Sequence, residues 1–254
     1  MQTEICRNCK DVVNEIFTGK LIDHHVRYFE CPSCSYVQTE TPHWLDQAYA
    51  EAINDSDTGI MLRNQVNARI VLTTMLMLRK LDGILVDYAG GHGILVRLLR
   101  DFGVNALWSD PYCKNLLAQG FEYSDEKADL VTAFEAFEHF IHPAEELDRL
   151  LTIAPNVLFS TELISDPAPK QDEWWYYGRE HGQHIGFFRV RTLKKLARER
   201  GKFLLSNGTN YHLIIDKPAS QQLWKVMIRA NRIVPLLLRG KLVSKVWSDH
   251  NLMT

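Results

Sequence analysis

The spacing of apolar and polar positions changes along this chain, and these changes divide it into regions. Between about Ile84 and Ile215, short apolar runs typical of buried strands alternate with stretches that have the spacing of amphipathic helices. The predicted strands lie at 84–86, 106–108, 129–131, 157–159, 203–205 and 213–215, and predicted helices include 94–102, 144–151 and 192–200. This alternation predicts an α/β domain with a largely parallel sheet that is covered by helices on both faces.

Three further regions flank this domain, which we place at residues 82–216. In residues 1–45, apolar residues alternate around Phe17 and Phe29, as in short strands. This unit is too small to bury a core of its own, so it needs a cross-link such as a bound metal ion. Residues 46–81 have helical spacing and are predicted to connect the unit to the domain, and residues 217–254 form a helical extension.

Composition and charge change this picture little. Of the 254 residues, 24% are charged and 46% apolar, as in an ordinary soluble globular protein. The formal net charge of −2 argues against a nucleic-acid partner, because phosphate backbones demand dense lysine and arginine. The N-terminus lacks the apolar core of a signal peptide, and no apolar run is long enough to cross a bilayer. We therefore expect a cytoplasmic protein.

Four of the five cysteines form two Cys-x-x-Cys pairs, Cys6 with Cys9 and Cys31 with Cys34. Their separation is close to that of a zinc ribbon, in which four thiolates complete a tetrahedron around the ion. Four free thiols or two disulfides are the alternatives, and a reducing compartment favours the metal. Since four thiolates leave no open coordination position, the predicted zinc is structural and not catalytic. Cys113 is expected to be an ordinary buried or loop thiol.

A glycine-rich turn from Tyr88 to Gly93 follows the first predicted strand of the domain and leads directly into a helical pattern. Such a turn lets a ligand approach the backbone and meet the N-terminus of the helix. Asp87 ends the first strand, where a carboxylate can anchor a charged ligand, and Asp110 ends the next, where an acid can bind ribose hydroxyls. A dinucleotide fingerprint needs a third small residue that neither register of the turn supplies, so the pattern does not favour a nicotinamide dehydrogenase.

The segment Asp87-Tyr88-Ala89-Gly90-Gly91-His92-Gly93 resembles the first motif of class I methyltransferases, Asp-x-Gly-x-Gly-x-Gly. The resemblance covers roughly residues 80–216 and implies a Rossmann-like fold with S-adenosyl-L-methionine as the methyl donor. It assigns Asp110 to the ribose of the donor. To the methionine part of the donor it assigns Asp87, Ala89, Gly91 and Gly93. Ala89 replaces the first glycine of the motif, which concerns the geometry of the turn and not the assignment.

The predicted strand at 129–131 runs into a segment that contains Phe134, Glu135, Glu138 and His139. In a helical turn, the last three share one face, where two carboxylates and an imidazole suit acid–base chemistry or metal binding. A solvated polar face is the alternative interpretation. We also expect Phe134 and Glu135 to contact the donor.

This segment is similar to the fourth-motif region of small-molecule methyltransferases. In a subset of these enzymes, Glu-x-x-Glu-His holds a divalent cation that positions a hydroxyl of the acceptor. The resemblance therefore implies one of two roles: Mg²⁺ bound by Glu135, Glu138 and His139, or His139 as a direct base or substrate contact.

Two tryptophans and two tyrosines stand in a row at 174–177, in a segment that fits neither helical nor strand periodicity. They indicate a lid that closes on a ligand, with a hydrophobic plug over the sheet as the alternative. The segment up to Phe188 resembles methyltransferases of polysaccharide and antibiotic-sugar pathways. That resemblance implies His184 as the general base, with Tyr177 and His181 in support, and a sugar or sugar nucleotide as the acceptor.

Between Ser220 and Trp247 the extension carries six basic residues and no acidic residue. A basic amphipathic helix can lie on an anionic membrane surface or bind a partner. A helix packed on the domain with its charges solvated is the alternative, and we prefer it.

Together these features predict a methyltransferase that uses S-adenosyl-L-methionine and acts on a small molecule, a hydroxyl of a sugar or glycan precursor in polysaccharide biosynthesis. The protein would supply orientation, desolvation and a base. Two alternatives stay open. One is a catalytically inactive zinc-ribbon protein that only binds; the other is a nucleic-acid methyltransferase, although residues 1–45 carry more acidic than basic side chains.

Overall fold

The computed structural model describes residues 4–49 and 58–253 of the chain. In these ranges the strands are β1 Asn14–Leu21, β2 His24–Glu30, β3 Val37–Thr39, β4 Ile84–Tyr88, β5 Asn105–Ser109, β6 Leu130–Ala133, β7 Val157–Ser160, β8 Gly186–Phe187, β9 Phe203–Ser206 and β10 Tyr211–Ile215. The helices are α1 Leu45–Ala48, α2 Ile60–Leu78, α3 Ile94–Asp101, α4 Pro143–Ile153, α5 Val190–Arg198, α6 Gln221–Arg229, α7 Val234–Leu237 and α8 Val246–Met253.

A six-stranded sheet in the order β5-β4-β6-β7-β10-β9 forms the centre of the molecule. Its first four strands are parallel, and β10 runs antiparallel to both β7 and β9. Leu85 and Val86, neighbours in β4, enter separate buried cores on the two faces of the sheet. Because both faces are covered, the strands read as continuous apolar runs, and the predicted Rossmann-like α/β fold is confirmed.

The three helices named from the sequence pattern follow their strands as expected, as α3, α4 and α5. Pro143 begins α4, since its fixed φ suits the first turn and its missing N–H would have no partner there. The parallel strands therefore end at one edge of the sheet, and the loops that leave this edge build the candidate site.

A second sheet, antiparallel and in the order β1-β2-β3-β8, joins the N-terminal unit to the rest of the chain. Its last strand comes from the aromatic segment, where Phe187 pairs with Val37. Tyr176 and Tyr177 are fully buried under this sheet, while Trp175 is 77% exposed. The prediction that the four aromatic residues form a lid is therefore wrong for the two tyrosines, because they cover the apolar face of the small sheet.

The regions on either side of the domain are helical, but less regular than their spacing predicts. Helix α2 lies in the predicted connector, and α1 crosses its first boundary because it begins at Leu45; residues 50–57 of the connector fall outside the described ranges. The single helical stretch predicted for 220–247 is wrong, since α6, α7 and α8 are separated by turns near Asn231 and Gly240. Gly240 has a φ of 85°, a left-handed conformation that interrupts a helix. No helix in the described ranges is both long and apolar enough to span a bilayer.

Candidate active site

The glycine-rich turn lies where β4 ends and α3 begins. Ala89, Gly91 and Gly93 have φ values of 59°, 53° and 85°, all in the left-handed region. A Cβ on Gly93 would lie 2.9 Å from the Cβ of Ala118, so packing alone requires glycine there. A Cβ on Gly91 would meet nothing within 4 Å. Gly91 thus presents bare backbone to open space, as a ligand cradle requires.

Asp110, after β5, ties the turn to the neighbouring strand end. Its Oδ2 accepts a hydrogen bond from the N–H of Gly91 at 2.8 Å. Its Oδ1 accepts from the N–H groups of Tyr112 and Cys113, at 2.8 and 2.9 Å. The carboxylate predicted to bind ribose is therefore fixed beside the turn by three backbone donors.

Asp87, at the end of β4, is only 3% exposed. Its Oδ1 accepts a hydrogen bond from Thr132 Oγ1 at 2.7 Å. Burial raises the pKa of Asp87 to about 7, and the charge of Asp110 adds to this effect. A cationic ligand would relieve the cost of ionising this carboxyl group. A donor that carries an ammonium and a sulfonium group therefore fits the turn and its two acids.

Phe134 and Glu135 follow β6, near the same edge of the sheet. Phe134 is half-buried and meets the ring of Tyr211 edge-on at 6.2 Å. Glu135 is exposed, has a φ of 49°, and accepts a hydrogen bond from the hydroxyl of Ser160. The predicted helical face of Glu135, Glu138 and His139 is wrong, because a 3₁₀ turn begins only at Phe137 and leaves Glu135 outside it.

The structure instead gathers Glu138 with histidines that are distant in sequence. One ligand atom from each of Glu138, His139 and His184 lies within 4.8 Å of the others. The ring of His184 lies 4.9 Å from that of His139 and 4.7 Å from that of His181. We call these four residues the histidine cluster; it contains every predicted catalytic residue except Tyr177.

Glu138 is fully buried, and neither of its carboxyl oxygens has a hydrogen-bond partner of normal geometry among the described residues. Burial raises the pKa of Glu138 to about 8, and Glu135 raises it further, while the hydroxyls of Tyr176 and Thr161 lower it. A buried carboxyl group without a partner costs stability, so this arrangement suits a group that is completed by a ligand or by a transferred proton.

Hydrogen bonds define which nitrogens of the cluster are available. His184 Nδ1 lies 2.6 Å from the carbonyl oxygen of Tyr176, so Nδ1 carries the proton and Nε2 keeps its lone pair. Burial lowers the pKa of His184 well below its usual value. Burial likewise lowers the pKa of His139 to about 4, and its Nδ1 lies 2.9 Å from the hydroxyl of Tyr49. His181 accepts a hydrogen bond from the N–H of Gln183 at 3.1 Å.

Tyr177 lies elsewhere: its hydroxyl donates to the carbonyl oxygen of Pro169, and its ring packs against Phe187. Tyr176 takes its place, with its ring 4.5 Å from that of His184. Tyr49 stacks on Tyr112 at 6.4 Å and so links the loop that follows β5 to His139. The predicted aromatic run includes Tyr176, whereas no local pattern marks Tyr49, since its role depends on a contact across 90 residues.

The donor atoms of the histidine cluster also bear on metal binding. Glu138, His139 and His184 would offer one oxygen and two nitrogens, a set that suits transition metals. Mg²⁺ prefers oxygen ligands, and the structure does not bring Glu135 into this set. The geometry therefore gives no support to the magnesium site predicted from Glu135, Glu138 and His139.

The four N-terminal cysteines converge on one point. Their sulfur atoms lie within 4.8 Å of one another, with Cys6 and Cys34 at 3.5 Å and Cys9 and Cys31 at 3.5 Å. These distances exclude disulfides, in which the sulfurs are about 2.05 Å apart. The four sulfurs thus form a compact set of soft ligands, whereas Cys113 lies outside it.

The two Cys-x-x-Cys segments also fold alike. The N–H of Lys10 donates to the carbonyl of Cys6 and the N–H of Ser35 to that of Cys31, both at 2.8 Å. Lys10 and Ser35 have left-handed φ values of 66° and 61°. Such paired turns direct backbone N–H groups toward the sulfurs, and the residues present fit a tetrahedral zinc ion.

The chain was compared with protein families, curated proteins and solved structures. A family model described as "Methyltransferase domain" matches residues 62–205. No curated protein matches the chain.

Among solved structures, the chain is similar to magnesium protoporphyrin IX methyltransferase from Synechocystis PCC 6803, with 13% identity, 67% of this chain and 92% of that chain covered, and a TM-score of 0.46. It is also similar to 1,6-didemethyltoxoflavin-N1-methyltransferase from Burkholderia thailandensis, with 13% identity and a TM-score of 0.48. That match covers 79% of this chain and 97% of the other. A third similar structure, an O-methyltransferase family protein from Burkholderia thailandensis, has 12% identity and a TM-score of 0.49. That match covers 70% of this chain and 64% of the other.

Proposed function

The chain belongs to the methyltransferase-domain family, and from this premise we propose that it transfers a methyl group from S-adenosyl-L-methionine to a small acceptor. We propose a hydroxyl of a sugar or sugar nucleotide as the acceptor, in the biosynthesis of a polysaccharide or related glycan. The observation that carries the proposal is the pairing of a bare glycine turn with a histidine cluster in which Glu138 is buried and unsatisfied, near the ends of the parallel strands.

The donor would bind at the turn. Asp87 supports this role because its carboxyl is buried and would gain from a positive neighbour. Asp110, fixed by Gly91 and two further backbone donors, would accept hydrogen bonds from the ribose hydroxyls. Phe134 and Glu135 would border the donor from the end of β6.

Held at the turn by Asp87 and Asp110, the donor would supply a methyl group on a sulfonium, whose sulfur would leave as a neutral thioether as the bond from the acceptor oxygen forms. His184 would accept the proton of the acceptor hydroxyl at Nε2, since its Nδ1 is held by the carbonyl of Tyr176. Glu138, buried in the same cluster, would stabilise the imidazolium that forms when its own carboxyl group is ionised. His139, oriented by Tyr49, and His181 would position the acceptor.

Support for a sugar acceptor comes from the exposed aromatic residues. Trp175 is 77% and Tyr112 is 87% exposed, and Tyr112 stacks on Tyr49 next to His139. Aromatic faces of this kind stack on the apolar face of a sugar ring.

A transfer assay tests the proposal. The full-length protein is incubated with S-adenosyl-L-methionine labelled in its methyl group and a panel of sugar nucleotides, free sugars, phenols and nucleic acids. We expect label to appear in a sugar-containing acceptor. Label in another small molecule would refute the sugar as acceptor but not the methyl transfer. Label in nucleic acid would instead favour a nucleic-acid methyltransferase. Binding of the donor without any turnover would favour a catalytically inactive binding protein.

We further propose that the cysteine cluster holds a structural zinc ion. The unit would gain from this staple because its sheet is completed only by β8, so it has little core of its own. Elemental analysis should find one zinc per chain, and Cys31→Ser should lower both zinc content and melting temperature. The same substitution at Cys113, outside the cluster, should change neither.

A further inference from the structure

The C-terminal extension has two apolar sides, and only one of them faces the protein. Trp224, Ile228, Val234 and Leu238 are buried and belong to the core that also contains residues of α2 and β4. These four side chains pack α6 and α7 against the domain.

The opposite side of the extension exposes large apolar side chains. Each of these is more than half exposed: Leu223, Val226, Ile233, Leu236, Leu237 and Trp247. Scattered apolar residues are ordinary on a protein surface, but their concentration in one short stretch of the chain is typical of a surface that is covered by something else.

The same segment is strongly basic. Between Ser220 and Trp247 it carries six cations and no acid: Lys225, Arg229, Arg232, Arg239, Lys241 and Lys245. Within the ranges that the structure describes, none of the six forms an ion pair. Elsewhere the arginines do pair, as Arg100 does with Asp249 and Arg200 with Asp148.

We propose that residues 220–247 form a docking surface for an anionic lipid membrane, on which the enzyme lies without spanning it. Apolar side chains interleaved with long cationic ones can enter the boundary between headgroups and acyl chains while the charges remain among the phosphates. Trp247 adds the amphipathic ring that favours this interface. A second copy of the chain is disfavoured as the occupant, because a symmetric contact would bring the six cations of each copy together.

Sedimentation with vesicles tests the proposal independently of catalysis. The full-length protein is mixed with vesicles of phosphatidylcholine alone, or of equal parts phosphatidylcholine and phosphatidylglycerol. We expect binding only to the vesicles with phosphatidylglycerol, and loss of that binding as salt rises from about 50 to about 300 mM. Absence of binding to anionic vesicles at low salt would overturn the proposal, as would equal binding to both kinds of vesicle.

Charge-reversal variants distinguish binding through this surface from an effect of the protein's overall net charge. Replacing Arg229, Arg232 and Arg239 together by Glu should weaken binding to anionic vesicles by more than about tenfold. Replacing Lys127, Lys170 and Lys194 by Glu changes the net charge equally on other surfaces and should leave binding within about twofold. Equal losses in both variants would refute the assignment to this segment.

The apolar side is tested by Leu236→Ser combined with Leu237→Ser, which should also weaken vesicle binding. Light scattering of the unmodified protein serves as the competing measurement. A stable dimer that this double substitution dissociates would show that a second copy covers the surface, and would overturn the membrane proposal. Since the salt dependence needs no variant, the proposal stays testable even if a substituted protein fails to fold.

Discussion

Two buried carboxyl groups in this molecule have opposite environments. Asp249 is 2% exposed and accepts hydrogen bonds from Arg97 at 2.9 Å and from Arg100 at 2.7 Å through two nitrogens. Glu138 is fully buried and has no hydrogen-bond partner of normal geometry within residues 4–49 and 58–253. The first group holds α8 against α3, whereas the second contributes nothing of this kind to the fold. A buried carboxyl group with charged partners is explained by structure, and one without them points to a ligand.

Two buried histidines repeat the contrast. His212 is bonded at both nitrogens, with Nδ1 2.9 Å from Ser206 Oγ and Nε2 3.1 Å from the carbonyl of Thr161. Among the residues that the structure describes, His184 is bonded only at Nδ1. His212 therefore has no free lone pair with which to take a proton, and His184 has one.

The largest expected effect follows from this second contrast. With the acceptor identified by the transfer assay, His184→Ala should lower kcat by a factor of about 10² to 10⁴, because a positioned base contributes that much. His212→Asn, at the fully bonded histidine, should lower the melting temperature and leave kcat nearly unchanged. Unchanged turnover in His184→Ala would remove His184 as the base.

Asp249→Asn should lower stability and leave kcat nearly unchanged, the reverse of His184→Ala. Breaking the buried pair leaves Arg100 without a counter-charge, whereas Arg97 keeps Asp101, and should cost about 3 kcal/mol of unfolding free energy, with little effect on kcat. The control is Asp148→Asn, whose carboxylate pairs with Arg200 but is 60% exposed and should cost less than about 1 kcal/mol. Denaturant titration measures both, and equal losses would contradict the comparison.

The pH dependence of stability should differ in sign between the two carboxyl groups. The pKa of Glu138 is raised from its ordinary 4.5 to about 8, so the folded state binds more protons in this window and loses stability as pH rises through it. Relative to the unmodified protein, Glu138→Gln should therefore gain stability from about pH 5 to about pH 8 and no further above that.

For Asp249, burial alone would raise the pKa, but the bonds from Arg100 and Arg97 lower it below the ordinary 3.8. Its stabilising contribution is therefore present above that pH and lost as pH falls below it. The deficit of Asp249→Asn should shrink in acid. Melting curves across pH check both trends, and parallel curves for the two variants would contradict them.

The smallest expected effect concerns magnesium. Because Glu135 is bonded to Ser160 and is not part of the histidine cluster, adding Mg²⁺ should leave kcat unchanged. A proportional dependence of turnover on Mg²⁺ concentration would show that this acid moves to complete a metal site.

Much of the fold follows from local pattern. The apolar runs such as Ile84–Tyr88 predict the parallel sheet because both of its faces are buried, and the spacing of the cysteines predicts their convergence. The histidine cluster could be predicted only as separate segments. The helical spacing predicts the wrong position for Glu135, because the left-handed conformation of this residue interrupts the helix. No sequence pattern identifies Tyr49, because only the tertiary fold brings it to His139.

The most direct test of the account is a calorimetric titration with S-adenosylhomocysteine, the product of methyl transfer, on the unmodified protein and two matched variants. Gly91→Leu and Gly201→Leu both place a side chain at a left-handed glycine with open space around its Cβ, but only Gly91 lies on the turn. We predict one binding site per chain, affinity lowered more than about tenfold by Gly91→Leu, and affinity unchanged by Gly201→Leu. No heat of binding in the unmodified protein, or equal affinity in both variants, would contradict the assignment of the methyl donor to this turn.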